Sequence, residues 1–407
     1  MPAFPAPTTT GTALHPWQVI SAGICALVLT VGLARFAYTP LLPLMREDAG
    51  LSAAQGGWLA TFNYLGYLLG TLLAARAGDM QQKFRFYRIG LVLAVAATAL
   101  MGVTTQPWVW NLLRFVAGLS STAGLLLASG LVLNWLLAHQ YRPRLGLHFA
   151  GLGLGIVVSG AATGLLAGHA GSSTQWICLG LLGMLFLVPA WAWMPRPSPI
   201  STGQAVQAPP PPGRRWRRLL IAAYFCAGVG FVVSATFIVA ILEQTAAFRG
   251  HGSAVWVLVG LAAVPSTFAW DRIAARLGLI RALVLAFALQ GASFVLPLLD
   301  DGLAAGLGSA MLFGLTFAGI VSLTLTVVGR HYPHNPAKAM ATLTLSYGVA
   351  QILAPALAGT LARSSGSYQA SLVLAAIFMA IGIALLAAMP TEAGDHAAAT
   401  VTRDTGA

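Results

Sequence analysis

The sequence predicts an all-α membrane protein: twelve transmembrane helices in two pseudo-symmetric six-helix bundles. Three observations predict it. The 407 residues are 57% hydrophobic and only 8% charged. A soluble domain carries about 25% charged residues, so this chain has too little polar surface to cover a core in water and reads as lipid-solvated. Apolar runs of about 20 residues, the length that crosses a bilayer, recur twelve times. The basic residues fall almost wholly on one side of those runs.

The spans are expected near 18–43, 54–75, 86–105, 108–136, 146–168, 174–194, 219–243, 254–271, 281–299, 303–329, 339–362 and 368–389. No Lys or Arg precedes Arg35, so the first run lacks the positive start of a secretory signal. It is also too long for one, and reads as a retained span. The connectors are short and carry breakers: Arg46-Glu47-Asp48, Gly171-Ser172-Ser173, Asp300-Asp301-Gly302 and His331-Tyr332-Pro333. Glycine is abundant, at 45 residues, and lets membrane helices approach closely. The longest connector, 195–217, holds Pro209-Pro210-Pro211-Pro212 and then Gly213-Arg214-Arg215; polyproline is extended rather than helical. The expected organisation is a disordered tail at 1–17, an N-terminal bundle at 18–194, a cytoplasmic Pro/Arg-rich linker at 195–217, a C-terminal bundle at 218–389 and a disordered tail at 390–407.

Charge placement orients the spans. With the N-terminus inside, the inner loops and tail hold Arg76, Lys83, Arg85, Arg88, Arg142, Arg144, Arg196, Arg214, Arg215, Arg217, Arg218, Arg272, Arg276, Arg281, Arg330, Lys338 and Arg403. The outer loops hold Arg46, Arg249 and Arg363, and Arg35 and Arg114 lie within spans. That 17-to-3 asymmetry is the positive-inside pattern, with both termini cytoplasmic. The net charge of +12 then reports topology and contact with anionic lipid, not a nucleic-acid partner. The halves also echo each other at an offset of roughly 196–198 residues: Gly118-Leu119-Ser120 matches Gly314-Leu315-Thr316, and Gly151 matches Gly348. A duplicated six-span unit places a binding site between the halves, near the midplane.

Several chemistries are excluded. Neither Lys follows Gly or precedes Ser or Thr, so no phosphate-binding loop exists. None of Glu47, Glu243 and Glu392 follows a His, so there is no HExxH metal site. Cys25, Cys178 and Cys226 sit in separate apolar runs and form neither a metal set nor a disulfide framework. No Ser/His/Asp set shares a depth. The chain is not expected to be an enzyme, and no cofactor or metal is expected.

The 6+6 plan with a basic central loop resembles the major facilitator superfamily. Gly32-Leu33-Ala34-Arg35-Phe36-Ala37-Tyr38-Thr39-Pro40-Leu41-Leu42-Pro43 and Asn63-Tyr64-Leu65-Gly66-Tyr67 resemble its YbfB/YjiJ-type branch. The resemblance implies a secondary active transporter that moves a small organic solute by alternating access, as a monomer in the bacterial inner membrane. Protons are the expected coupling ion, because nothing resembles a sodium cage. The superfamily's loop between spans 2 and 3 is matched in part by Ala75-Arg76-Ala77-Gly78-Asp79-Met80-Gln81-Gln82-Lys83, and in the other half by Asp271-Arg272-Ile273-Ala274-Ala275-Arg276-Leu277-Gly278. The implied role of Asp79, Lys83, Asp271, Arg276 and Gly278 is a cytoplasmic gate, against the alternative that Asp79 is a solvated loop acid.

Arg114, in Arg114-Phe115-Val116-Ala117-Gly118, resembles a fourth-span element associated with proton coupling. An Arg within a span is costly unless paired or hydrated; snorkelling to the outer interface is the alternative. Arg35 lies about 25 Å along span 1 by helical rise, and is expected to bind or gate. Asn63, Tyr64 and Tyr67 would add polar contacts. Glu243, closing span 7, is either a proton carrier or an ordinary interfacial acid. His148 opens span 5, where a structural role is expected. Span 5 also carries Gly151, Gly160, Gly164 and Gly168, a spacing that resembles antiporters and that close helix packing would equally explain. Two Arg against one peripheral Glu favour an organic anion as substrate. An efflux antiporter for an apolar or cationic solute is the alternative; a membrane-embedded sensor would need an appended signalling domain.

Overall fold

The computed structural model describes residues 14–141, 145–197, 213–331 and 336–389. Residues 1–13 of the expected N-terminal tail, the expected C-terminal tail with Arg403, Arg142, Arg144 and the Pro209–Pro212 run lie outside them, while Pro16 and Trp17, expected in the tail, open the first helix with Pro16 at its N1 position, where a missing amide costs nothing. Twelve helices run back and forth among the described residues: α1 (Pro16–Ala49), α2 (Ala53–Arg76), α3 (Met80–Leu100), α4 (Pro107–Ala138), α5 (Leu145–Leu166), α6 (Ser172–Ala192), α7 (Arg214–Leu242), α8 (Gly252–Ala263 and Ser266–Leu277), α9 (Leu279–Leu299), α10 (Leu303–His331), α11 (Pro336–Ser365) and α12 (Gln369–Ala387). Ten regions of this set are long and apolar enough to cross a membrane, and α8 joins them as a pair bent by 42°. The twelfth is α3, whose first turns carry Lys83, Arg85 and Arg88.

Three further boundaries differ from the sequence expectation. Arg46-Glu47-Asp48, expected as a connector, is helical and ends only at Gly50, whose φ of +65° only glycine adopts cheaply. Arg214–Arg217, expected in the linker, form the first turn of α7. The single run expected at 254–271 is broken at Val264-Pro265, where proline withholds an amide from the helix ladder.

The repeat is visible as matched packing. Gly118 of α4 lies against the carbonyl of Asn63 on α2, and Gly314 of α10 lies against the carbonyl of Val259 on α8. Both partners in the second pair stand 196 residues after those in the first. Thr39 of α1 hydrogen-bonds the carbonyl of Ala235 on α7, its own counterpart at a separation of 196. A residue that meets its repeat mate lies on the pseudo-twofold axis, as in an isologous interface.

The halves meet along two further seams. In one, Gly57 of α2 abuts the carbonyl of Pro355 on α11, and Thr61 Oγ1 donates to Ile352 O at 2.8 Å. In the other, Gly153 of α5 and Gly260 of α8 each abut the other's carbonyl, and Trp256 Nε1 donates to Ser159 Oγ at 3.2 Å. Backbone contact this close needs glycine on the facing helices.

Candidate functional site

Local winding sets the site. Residues Val28–Phe36 of α1 form a π-helix, with Ala37 N donating to Gly32 O at 2.9 Å. Pro40 follows four residues after Phe36 and has no amide to offer the carbonyls before it. Carbonyls near the end of the π stretch therefore need donors from elsewhere. Arg114 of α4 supplies them: Nη1 donates to Ala34 O at 3.0 Å and Nη2 to Arg35 O at 3.1 Å. Its guanidinium is 4.5 Å from the Tyr38 ring, and the residue is 2% exposed. Arg114 thus sits inside the bundle and does not snorkel.

Asn63 holds α4 in register by donating from Nδ2 to Arg114 O at 2.9 Å. One residue on, the same helix presents Tyr64, and one turn further Tyr67. The Arg35 guanidinium lies 4.4 Å from the Tyr64 ring and 4.7 Å from the Tyr67 ring, with Phe36 at 5.5 Å. Arg35 is 5% exposed. Its Nε and that of Arg114 are buried without acceptors, as is Asn63 Oδ1 without a donor. Among the described residues no carboxylate pairs with either arginine. Stacking on tyrosine faces offsets part of the cost of burying the charge, and leaves it uncompensated.

The C-terminal half supplies aromatic surface. Phe231, 196 residues after Arg35, lies 6.2 Å from Phe313, 5.5 Å from Phe317 and 5.9 Å from Tyr347. Tyr347 stacks on Tyr224 at 4.5 Å and lies within electrostatic range of Arg35, Tyr64 and Tyr67. Gly348, next in sequence, packs against Leu68 of α2. The site is therefore asymmetric within a symmetric frame: a cation with tyrosines on one side, an aromatic cluster on the other.

Of the residues expected at the site, Arg35, Asn63, Tyr64, Tyr67 and Arg114 come together. Glu243 does not join them. It caps the end of α7, just past the spanning helix, and its Oε1 accepts from Gly252 N at 3.1 Å. It lines a cavity of about 700 Å³ with Arg46, Glu47, Gln175 and Arg249. Burial pushes its carboxyl up, with Glu47 adding to the shift.

The expected gate residues lie at the other end of the bundle. Asp79 is an exposed N-cap for α3, its Oδ1 accepting from Gln82 N at 2.6 Å, and it makes no ion pair among the described residues. Lys83 is half-buried in the first turn of the same helix, and Asp271 and Arg276 are exposed near the end of α8. Gly278 turns the chain into α9 with φ +85°. His148 is fully buried, its Nε2 2.8 Å from Ser129 Oγ and its Nδ1 unpartnered against Gly23.

Sequence reading missed Tyr224, Phe231, Phe313, Phe317 and Tyr347. The available signal was the 196-residue offset from Arg35 to Phe231, together with the helical spacing of Phe313 and Phe317. The π stretch had only Pro40 to announce it.

Two six-helix halves related by a repeat, with a charged and aromatic site between them, define a secondary transporter of the major facilitator superfamily. Residues 27–387 match the family model described as "Uncharacterised MFS-type transporter YbfB", and the chain belongs to that family. It is 26% identical over 356 residues to the uncharacterized MFS-type transporter YceJ of Bacillus subtilis (strain 168), covering 84% of this chain and 83% of that one. It is 23% identical over 403 residues to the probable sulfoacetate transporter SauU of Cupriavidus necator, covering 90% and 92%. Among solved structures, the nucleoside transporter NupG superposes with a TM-score of 0.71 at 13% identity, over 93% of this chain and 99% of that one. An inward-facing, unoccupied bacterial homolog of the human lysosomal transporter Spinster superposes with a TM-score of 0.67 at 16% identity, over 92% and 97%. These likenesses establish the fold.

Proposed function

We propose that the protein moves a small organic anion across the bacterial inner membrane by alternating access, with protons as the coupling ion and Arg35 as the anchor for the anion. One observation carries the reading. Arg35 is a buried guanidinium with an unpartnered Nε, between two tyrosine rings and without a carboxylate among the described residues. A bound carboxylate or sulfonate would supply the missing charge and acceptor. The tyrosines of both halves would supply further donors, so closure of the halves around the anion brings all of them to it. The probable sulfoacetate transporter SauU is a relative whose named substrate is an organic anion, which agrees with this chemistry.

The positive-inside pattern supports a cytoplasmic side at the end of the bundle that carries Arg76 and Arg214. Thr39, Thr61 and Arg46 then tie the halves together on the outer side, Arg46 through its bond to the Tyr368 hydroxyl at 3.1 Å. In the opposite state, closure on the cytoplasmic side would bring Asp79 and Lys83 towards Asp271 and Arg276, with Gly278 as the flexible joint. Half-buried Glu243 and fully buried His148 are the groups assigned to proton transfer in this reading. The transporter works as a monomer, its site completed by its own two halves.

The aromatic cluster around Phe231 favours a second reading, efflux of an apolar or cationic solute. Uptake into proteoliposomes separates the two. The panel is sulfoacetate, acetate, lactate and benzoate against lipophilic cations, with and without a pH gradient. Anion uptake that accelerates with the gradient is expected. Movement of cations alone would overturn the anion reading, and indifference to the gradient would overturn proton coupling.

A further inference from the structure

The reading of Arg35 as the anion anchor leaves Arg114 to be explained. Both are buried arginines without carboxylate partners among the described residues, and either could meet a transported anion. Their surroundings differ. The terminal nitrogens of Arg114 are committed to two backbone carbonyls, and its plane is covered by Tyr38. Tyr38 is itself fixed, its hydroxyl donating to Gly56 O at 2.8 Å. The carbonyls that Arg114 holds belong to Ala34 and to Arg35 itself.

Winding explains why that matters. A π-turn takes up one more residue than an α-turn. Returning even one π-turn to α winding would rotate what lies beyond it by roughly 100° relative to what lies before, since an α-helix has 3.6 residues per turn. Arg35 is the penultimate residue of the stretch, so its winding decides whether the side chain faces Tyr64 and Tyr67. A π segment is intrinsically unfavourable and persists only where other groups hold it. Pro40 removes one amide that would otherwise serve these carbonyls. Arg114 has a rigid planar fork that reaches two adjacent carbonyls at once. The backbone from which the fork projects is in turn held by Asn63, which donates to Arg114 O and stands next to Tyr64 on the helix that receives the Arg35 guanidinium.

We infer that Arg114 is a positioning residue: it locks the π winding of α1 and thereby aims Arg35 at the substrate, without meeting the anion itself. Release of the fork lets α1 rewind and withdraws the anchor. This rests on the reading of Arg35 as the anchor, and its test has an arm that does not.

The test is amide hydrogen exchange on the full-length protein in lipid nanodiscs, without added solute. Arg114→Lys keeps the charge and loses the fork. It is expected to exchange at least tenfold faster in the peptide covering residues 28–41, with α2 and α7 unchanged. Arg35→Lys, which leaves the fork intact, should match the parent there. Asn63→Ala, a milder route to the same end, should give a smaller rise in the same peptide. Unchanged exchange in residues 28–41, or a uniform rise across the N-terminal bundle, would overturn the inference. For the anion identified in the uptake panel, Arg114→Lys should raise KM at least tenfold with kcat within twofold. A fall in kcat alone would mark a general loss of folded protein and count against positioning. If the exchange result holds and no anion is transported, the reading of substrate falls and the positioning role stands.

Discussion

Arg35 buries a guanidinium between two tyrosine rings inside a bundle, which is costly unless something compensates it. Arg35→Lys loses the planar stack and should raise KM for the transported anion by about tenfold, the scale of a desolvated cation–π contact of roughly 1–2 kcal/mol. Uptake titrations on proteoliposomes check it. Glu243 makes a different prediction. Burial raises its carboxyl in the folded state, so the ionised form is disfavoured by folding. Stability should therefore fall as pH rises from the unfolded value towards the raised native one, and stay flat above it. Glu243→Gln retains an oxygen for Gly252 N and removes the charge. It should be at least as stable as the parent at neutral pH and lose that pH dependence, as thermal unfolding across the pH range would show. Both residues stand out in the sequence, because a charge in an apolar run is conspicuous. What each one touches was not visible there: Glu243 stands at the end of an apolar run, as a candidate for the same site, and folding leaves it apart from Arg35 and Arg114, bonded to Gly252 N.

Helix pairs follow the repeat. Gly118 and Gly314 bring α4 onto α2 and α10 onto α8 through the same carbonyl contact. Gly118→Ala and Gly314→Ala should each cost about 1–3 kcal/mol, the scale of overpacking a tight contact, and to a similar extent. Unfolding temperatures of the two variants test that equivalence. A marked inequality would mean that the halves differ in packing here as they do in chemistry. The glycine pair was legible from the shared offset. The break in α8 could be read at Pro265 only in hindsight, because proline within a membrane helix is often accommodated. The π winding of α1 was not legible, since hydropathy is indifferent to whether a turn takes one residue more.

Across the whole molecule, the contact between Thr39 and Ala235 joins the halves on their pseudo-twofold axis. Thr39→Cys with Ala235→Cys, made in a background without the three native cysteines, should cross-link with a short bifunctional reagent and stop uptake. Cleavage of the link should restore it. Uptake that continues through a complete cross-link would show that the halves do not separate there. The same observation bears on alternating access, because the halves meet through glycine contacts, a few hydrogen bonds and apolar packing such as Phe36 on Trp256, and all of these must part on one side for the site to open there.

Solvent, helix number and duplication were all legible along the chain. Each rests on composition and on patterns that recur: apolar runs of bilayer length, basic loops on alternate connectors, and glycines at a common offset. Arg35, Asn63, Tyr64, Tyr67 and Arg114 were marked in the same way, since polar groups in a span demand an explanation. Their roles emerged only from packing in three dimensions. Folding put one arginine on backbone carbonyls and the other between tyrosine rings, and it set the aromatic cluster of the second half beside them. Those relations join residues as much as 312 positions apart, such as Arg35 and Tyr347. They depend on helix winding and on how closely backbones approach, which local sequence patterns do not encode.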